Sequence, residues 1–442
     1  MSRRGKHLPT ALAEASIESL SHEGRGVAHI NGKTVFIDAA LPGETVRFRY
    51  TRQHSRYDEG AAVEIDHPSA MRVTPACSHF DICGGCSLQH MHPQAQILHK
   101  QQVLFEQLQH IGGVEPSEQL SPLTGQVWGY RHKARLGVRN VLKKGKVLVG
   151  FREKSKPYIA DIDRCEVLHP AIGEKLIELK DLVSTLDMKS EVPQIEVAVG
   201  DARAMIVIRH LIDVSAADQD RLVRFQSEHD IDIILQGNHS VPLRPLLENG
   251  NESLNYTLDE YGITITFNPL DFTQINFPIN REMIRRVISL MQPAPSERIL
   301  DLFCGLGNFT LPLARHARFV TGVEGATLLV DKARANAANN AIDNVEYHKA
   351  DLYLPAIQGE FLRGQYDKIL LDPPRSGARE VIEQMNFRQV QRLIYVSCNP
   401  ATLARDAGLL VKQHGFKLVS AGVMDMFPHT THVESLAVFD RS

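Results

Sequence analysis

The sequence predicts an α/β, doubly wound C-terminal domain, preceded by a small β-barrel and an α+β centre. From residue 269 onward, near-continuous apolar runs alternate with polar helical stretches, as in a parallel sheet covered on both faces. The first 68 residues read differently, as short runs punctuated by turn residues. With 442 residues, 43% of them apolar, the chain exceeds what one core usually holds, and two or three domains are expected.

In the first part, 1–68, strand-like runs at 15–20, 26–30, 33–37, 45–50 and 60–65 predict a barrel of about five strands. Asn31-Gly32 is its hairpin turn, and His67-Pro68-Ser69 is the linker that follows. Barrels of this size are widespread RNA-binding folds.

The centre, 69–268, opens on Cys77, Cys83 and Cys86 in a C-x5-C-x2-C spacing, with Cys165 further along. The basic start at residues 1–6 is followed by no signal-type apolar segment, and no run reaches membrane length, so a cytoplasmic protein is expected. In a reducing compartment the six cysteines point to metal binding or catalysis rather than to disulfides. Four thiolates suit either zinc or an iron-sulfur cluster, and the spacing alone does not choose between them. Residues 94–111 form an amphipathic helix with Ile97, Val103, Leu104, Leu108 and Ile111 on one face. Strands are expected at 196–199, 205–208 and 231–235.

Net charge is only -3, so a nucleic-acid surface has to come from clustering. Residues 131–156 supply one. Arg131, Lys133, Arg135, Arg139, Lys143, Lys144, Lys146, Arg152, Lys154 and Lys156 stand against the single acid Glu153, with Trp128, Tyr130, Phe151 and Tyr158 offering faces for unpaired bases.

The last part, 269–442, has strands at 298–303, 319–323, 345–348, 368–371, 393–396 and 418–424, and its ligand belongs at their carboxyl ends. The first strand runs into Asp301-Leu-Phe-Cys-Gly-Leu-Gly-Asn-Phe-Thr310, a glycine turn opening a helix. Thr310 stands where a dinucleotide-binding turn would want a third glycine. Glu324 ends the second strand, where a carboxylate can accept from ribose hydroxyls, and Asp351 ends the third. This series resembles the class I S-adenosylmethionine methyltransferases over residues 270–442. The resemblance implies that Phe303 and Asn308 line S-adenosylmethionine, that Glu324 holds its ribose and Asp351 its adenine end, and that Gln274, in Phe272-Thr-Gln274-Ile-Asn276, contacts it as well.

Strand 368–371 ends in Asp372-Pro373-Pro374-Arg375, and the next ends in Ser397-Cys398-Asn399-Pro400, so both tips face one crevice. Uracil C5 is a poor nucleophile. A thiolate added at C6 makes it an enolate able to take a methyl group, and a cysteine at a strand tip beside the cofactor meets that need. Cytosine methyltransferases carry a cysteine after the paired prolines, where this chain has Arg375. With Phe427-Pro428-His429-Thr430-Thr431-His432-Val433-Glu434 the whole stretch resembles the RNA 5-methyluridine methyltransferase family. The resemblance implies Cys398 as covalent catalyst, Glu434 as the base that removes the C5 proton, and Asp372 at the cofactor boundary positioning the uracil.

In the members that have these cysteines, the resemblance also implies a [4Fe-4S] cluster on Cys77, Cys83, Cys86 and Cys165. Barrel, cysteines and catalytic part together resemble the 23S rRNA branch, the tRNA branch being expected to lack both barrel and cluster cysteines. The expected partner is therefore 23S rRNA, with no membrane and a monomer favoured. The alternatives are a uracil-C5 methyltransferase for tRNA or another rRNA site, a small-molecule methyltransferase, and an idle RNA-binding assembly factor.

Overall fold

The computed structural model describes residues 8–154, 156–237 and 243–441; the basic start at 1–6 lies outside the described residues. Among the described residues the N-terminal sheet has six strands, Ala13–Ser16, Ser19–Leu20, Gly26–Ile30, Lys33–Asp38, Thr45–Gln53 and Tyr57–His67. The first expected run breaks in two at Ile17. Its first half pairs with Thr45–Gln53 and its second with Gly26–Ile30. The Ile17 amide donates to the Glu44 carbonyl at 2.8 Å, so the chain changes partners without leaving that amide unpaired. The change of partner curls the sheet around Ile17, Val35, Ile37, Val46 and Phe48. Asn31 and Gly32 both have positive φ, 49° and 77°, as the tight hairpin requires.

The central sheet runs in the order Arg244–Pro245, Ile231–Gln236, Ala204–Arg209, Gln194–Val199, Lys133–Val141 and Lys146–Gly150. Helices Leu176–Thr185 and Ala216–His229 bury Leu179, Val183, Leu222 and Phe225 in its core.

The largest sheet has eight strands among the described residues: Val345–Lys349, Phe319–Glu324, Arg298–Leu302, Lys368–Leu371, Arg392–Ser397, Glu434–Arg441, Phe416–Met424 and Glu118–Gln119. The first five are parallel. Glu434–Arg441 lies antiparallel between Arg392–Ser397 and Phe416–Met424, so it is an interior strand. One face packs on helices Phe277–Met291 and Thr327–Asn339 and on the hairpin Leu254–Leu258/Ile263–Phe267. The other packs on Pro93–Gln107 and Pro400–His414.

The expected helix 94–111 is therefore a layer of this domain. It starts on the His92 cap with Pro93 in its first turn and ends in one π-helical turn, Leu108–Gly112. That end comes so close to Pro400–His414 that a Cβ on Gly112 would stand 2.5 Å from the Ala404 carbonyl oxygen.

Candidate active site

Strand Arg298–Leu302 carries Asp301 into the interior, and Thr310 explains its survival there. The Thr310 hydroxyl donates to Asp301 Oδ2 at 2.6 Å, and both residues are fully buried. Burial still pushes the Asp301 carboxyl up to about 7 against that bond, and Glu324 pushes it the same way. Thr310 thus fills the place of the missing third glycine with an internal hydrogen bond. Phe303, Gly305 and Gly307 all have positive φ, 65°, 54° and 92°, and for Phe303 that is a strained conformation. The turn aims the Gly305 amide at Glu324 Oε2, 3.2 Å away, while Oε1 accepts from the Ala326 amide at 3.0 Å. Each oxygen keeps a lone pair for a further donor.

Asn308 is held more tightly than a residue free to meet a ligand. It exchanges amide hydrogen bonds of 3.0 Å with Asn280, and its Oδ1 also accepts from the Tyr256 hydroxyl at 2.8 Å. It joins the turn to helix Phe277–Met291 and still lines the cavity. Asp351 Oδ1 accepts from the Tyr353 amide at 3.0 Å.

One cavity of about 550 Å³ is lined by Gln274, Phe303, Asn308, Glu324, Asp351, Asp372, Cys398 and Glu434, so all eight residues singled out in the last part meet there. The ladder explains the convergence. Ser397 pairs with Ser435, which sets Cys398 and Glu434 at the same end of adjacent strands, and Asp372 ends the next strand over. Glu434 is 2% exposed; burial first, then Asp372, holds its carboxyl well above the usual range. Enclosure and Asp301 raise Asp372 to about 7. The half-buried Cys398 thiol is pushed up to about 11 by burial and by the two acids, against Arg375. Arg375 Nη2 donates to His432 Nδ1 at 3.0 Å, so that cation is partly engaged elsewhere. The crevice thus sets a thiol and two carboxyls with raised proton affinity beside an adenosine-sized cavity, the equipment for thiol addition and proton removal. Cys304 is buried in the turn, and burial first, then Asp301 and Glu324, holds its thiol well above the usual range.

Sequence reasoning missed Lys100 of helix Pro93–Gln107. Its ammonium is 1% exposed and donates to Asp425 Oδ1 at 2.8 Å and to the Phe427 carbonyl at 2.9 Å, bracing the segment that leads to Glu434.

Cys77, Cys83, Cys86 and Cys165 line a second cavity of about 20 Å³ with Phe80, Phe151 and Val167. Among the described residues no three His, Cys, Asp or Glu side chains stand at metal-binding geometry. The donor chemistry nevertheless fits a thiophilic metal. Burial pushes Cys86 up to about 12 and Cys165 to about 11, and the neighbouring sulfurs add to it, so thiolates there would require a bound cation.

The basic segment is less open than its composition implies. Lys133 is enclosed, donates to the Asp271 carbonyl, and is lowered by burial to about 8. Tyr130 is buried, Trp128 stacks on His429 at 4.0 Å, and Arg152 and Lys154 hydrogen-bond to the cysteine loop through their backbones. Arg139, Lys143 and Lys144 face solvent, and Tyr158 is the aromatic with an open face, 64% exposed.

Comparison with known proteins agrees with this architecture. The family model described as tRNA (Uracil-5-)-methyltransferase matches residues 243–442, and that of the TRAM domain matches 12–63. The chain is 50% identical to the 23S rRNA (uracil(1939)-C(5))-methyltransferase RlmD of Alkalilimnicola ehrlichii, covering 100% of this chain and 99% of that one. It is also 50% identical to the protein so described from Methylococcus capsulatus, covering 100% of each. Among solved structures it is similar to the Pyrococcus abyssi tRNA (uracil-54, C5)-methyltransferase in complex with S-adenosyl-L-homocysteine, with a TM-score of 0.73 and 25% identity over 96% of this chain and 99% of that one.

Fold and site define an S-adenosylmethionine-dependent methyltransferase domain joined to a TRAM barrel. No helix among the described residues is long and apolar enough to cross a membrane. The chain belongs to the family of the 23S rRNA (uracil(1939)-C(5))-methyltransferase RlmD. One expectation needs correction. An alignment that spans 96% of the chain includes the barrel, so the three-part layout is shared with a tRNA enzyme and does not itself select 23S rRNA.

Proposed function

We propose that this protein methylates C5 of a uridine in 23S rRNA, with S-adenosylmethionine as methyl donor and Cys398 as covalent catalyst. The observation that carries the reading is the meeting of Cys398, Glu434 and Asp372 in the same cavity as Glu324, Asp351 and Gln274. The names of relatives 50% identical over the full chain support the rRNA target. S-adenosylmethionine supplies an electrophilic methyl group, and Glu324, Asp351, Gln274, Phe303 and Asn308 are the residues to hold it. Cys398 thiolate adds to C6, and the C5=C6 electron pair moves toward O4, making C5 nucleophilic. Once C5 carries the methyl group, ionised Glu434 takes the C5 proton, the double bond re-forms, and the Cys398 sulfur leaves as thiolate. Asp372 positions the ring. Cys77, Cys83, Cys86 and Cys165 are proposed to hold a [4Fe-4S] cluster, supported by their shared cavity and thiol chemistry.

The test uses trapped states. Cys398→Ala abolishes methylation and any covalent RNA adduct, whereas Glu434→Gln permits addition and methyl transfer but stalls elimination. A denaturing gel of Glu434→Gln with 23S rRNA and labelled donor then shows a labelled, RNase-sensitive shifted band, which the added Cys398→Ala erases. A band surviving the double substitution moves the nucleophile elsewhere, with Cys304 the next candidate. Loss of 5-methyluridine from tRNA rather than 23S rRNA in cells lacking the gene overturns the target.

A further inference from the structure

The loop that delivers Glu434 is held from outside its own domain. The backbone amides of Ser87 and Leu88, the two residues after Cys86, donate to the His429 carbonyl at 2.9 and 3.0 Å. The Tyr130 ring packs with Cys86 in one apolar cluster, and its hydroxyl donates to the Pro428 carbonyl at 2.9 Å. His429 itself has φ 63°, a conformation that a non-glycine residue holds only under constraint, and Trp128 lies stacked on its ring. Gln96 Oε1 accepts from the His429 amide at 2.8 Å while its Nε2 donates to the Leu88 carbonyl at 3.0 Å, tying both loops to one side chain. The barrel closes the seam, since a Cβ on Gly24 would stand 2.7 Å from Leu88 and 2.8 Å from Thr431. Five residues beyond His429, the chain enters its strand at Glu434.

We infer that the cysteine loop is a positioning device for the general base: the Ser87 and Leu88 amides and the Tyr130 hydroxyl set loop 427–433 and thereby the Glu434 carboxyl that removes the C5 proton. The inference rests on the assignment of Glu434 proposed above. The backbone carbonyls of Pro428 and His429 are the points of attachment, so the coupling acts through the main chain and does not require the cysteine centre to touch substrate. Tyr130 acts through Glu434 and is a positioning residue.

The experiment substitutes Tyr130→Phe in the full-length protein, which removes one hydroxyl and keeps the ring. Trp128 is the only tryptophan in the chain, so its fluorescence reports the stack on His429 directly. The expected result is an altered Trp128 emission and a turnover reduced roughly tenfold or more by misplacement of the base. The KM for RNA stays within about twofold, because no group that touches RNA is removed, and the Cys398–RNA adduct accumulates on a denaturing gel. His429→Gly, which keeps the carbonyl acceptor but releases the strained conformation, gives the same adduct signature if Tyr130→Phe fails to fold. Unchanged emission and turnover, or weakened RNA binding with no added adduct, overturns the inference. Glu434→Gln is run beside both. If it traps adduct and the loop variants do not, the positioning role alone falls; if it traps none, the assignment of Glu434 falls first and the inference with it.

Discussion

In the ligand-free crevice Cys398 should be a poor nucleophile, and the positive charge of the methyl donor should be what activates it. With the thiol pushed up to about 11, the thiolate fraction at neutral pH is on the order of 10⁻⁴, against a few per cent for an ordinary cysteine. The causes are burial and the carboxyls of Glu434 and Asp372, and the opposing cation, Arg375, also donates to His432. At an effective dielectric near 20, a unit positive charge held about 5 Å from the sulfur would favour the thiolate by about 3 kcal/mol, or roughly two pKa units. S-adenosylhomocysteine has the same shape without that charge. The assay is iodoacetamide alkylation of the Cys398 peptide, followed by mass spectrometry across pH. In the free protein the rate should climb with pH toward about 11. The non-transferable cationic analogue sinefungin, or S-adenosylmethionine without RNA, should shift the profile down by roughly two units, and S-adenosylhomocysteine should leave it in place. Identical profiles with the charged and neutral ligands would refute the electrostatic argument, as would ordinary thiol reactivity in the free protein.

Lys100→Met leaves the buried Asp425 charge without its partner and should cost about 3–5 kcal/mol in urea unfolding; adding Asp425→Leu should recover most of it, and an unchanged midpoint would contradict the buried pair. Replacing Arg139, Lys143 and Lys144 by Gln should lower the slope of log affinity against log salt for RNA by up to about 0.7–0.9 for each phosphate that is no longer neutralised, with S-adenosylmethionine affinity unaffected. An unchanged slope would make that hairpin a merely solvated face. Anaerobically purified protein should be brown and carry acid-labile sulfide bound through Cys77, Cys83, Cys86 and Cys165; stoichiometric zinc without sulfide would reject the cluster.

The barrel and the parallel strands were legible because their signals are local. Asn31-Gly32 names its turn, and short apolar runs such as Lys368–Leu371, alternating with polar helical stretches, read as strands buried on both faces. The crevice was legible for a similar reason: strand tips carrying Asp372 and Cys398 must point the same way in a parallel sheet. What could not be read was partnership at a distance. The apolar face of helix Pro93–Gln107 does not say which sheet it covers, and Lys100 on that helix looks like any solvated lysine until Asp425 is opposite it. The same blindness made Lys133 and Tyr130 look like RNA-binding groups, although the fold encloses the first and buries the second. Chain order also does not give sheet order, so nothing in the residues announced that Glu434–Arg441 slots between two earlier strands.

That slotting has a consequence for how the molecule comes together. Until Glu434–Arg441 is in place, Arg392–Ser397 and Phe416–Met424 face each other across a gap, each with a row of unpaired amides and carbonyls. Pairing with Phe416–Met424 spans only the connection 425–433, but pairing with Arg392–Ser397 has to reach back across helix Pro400–His414 and that strand, so this non-local contact is expected late in folding. Register there is unforgiving, because a slip of one residue would turn Glu434 to the opposite face and bring a serine to the crevice. The step that completes the sheet is therefore also the step that brings Glu434 to the crevice.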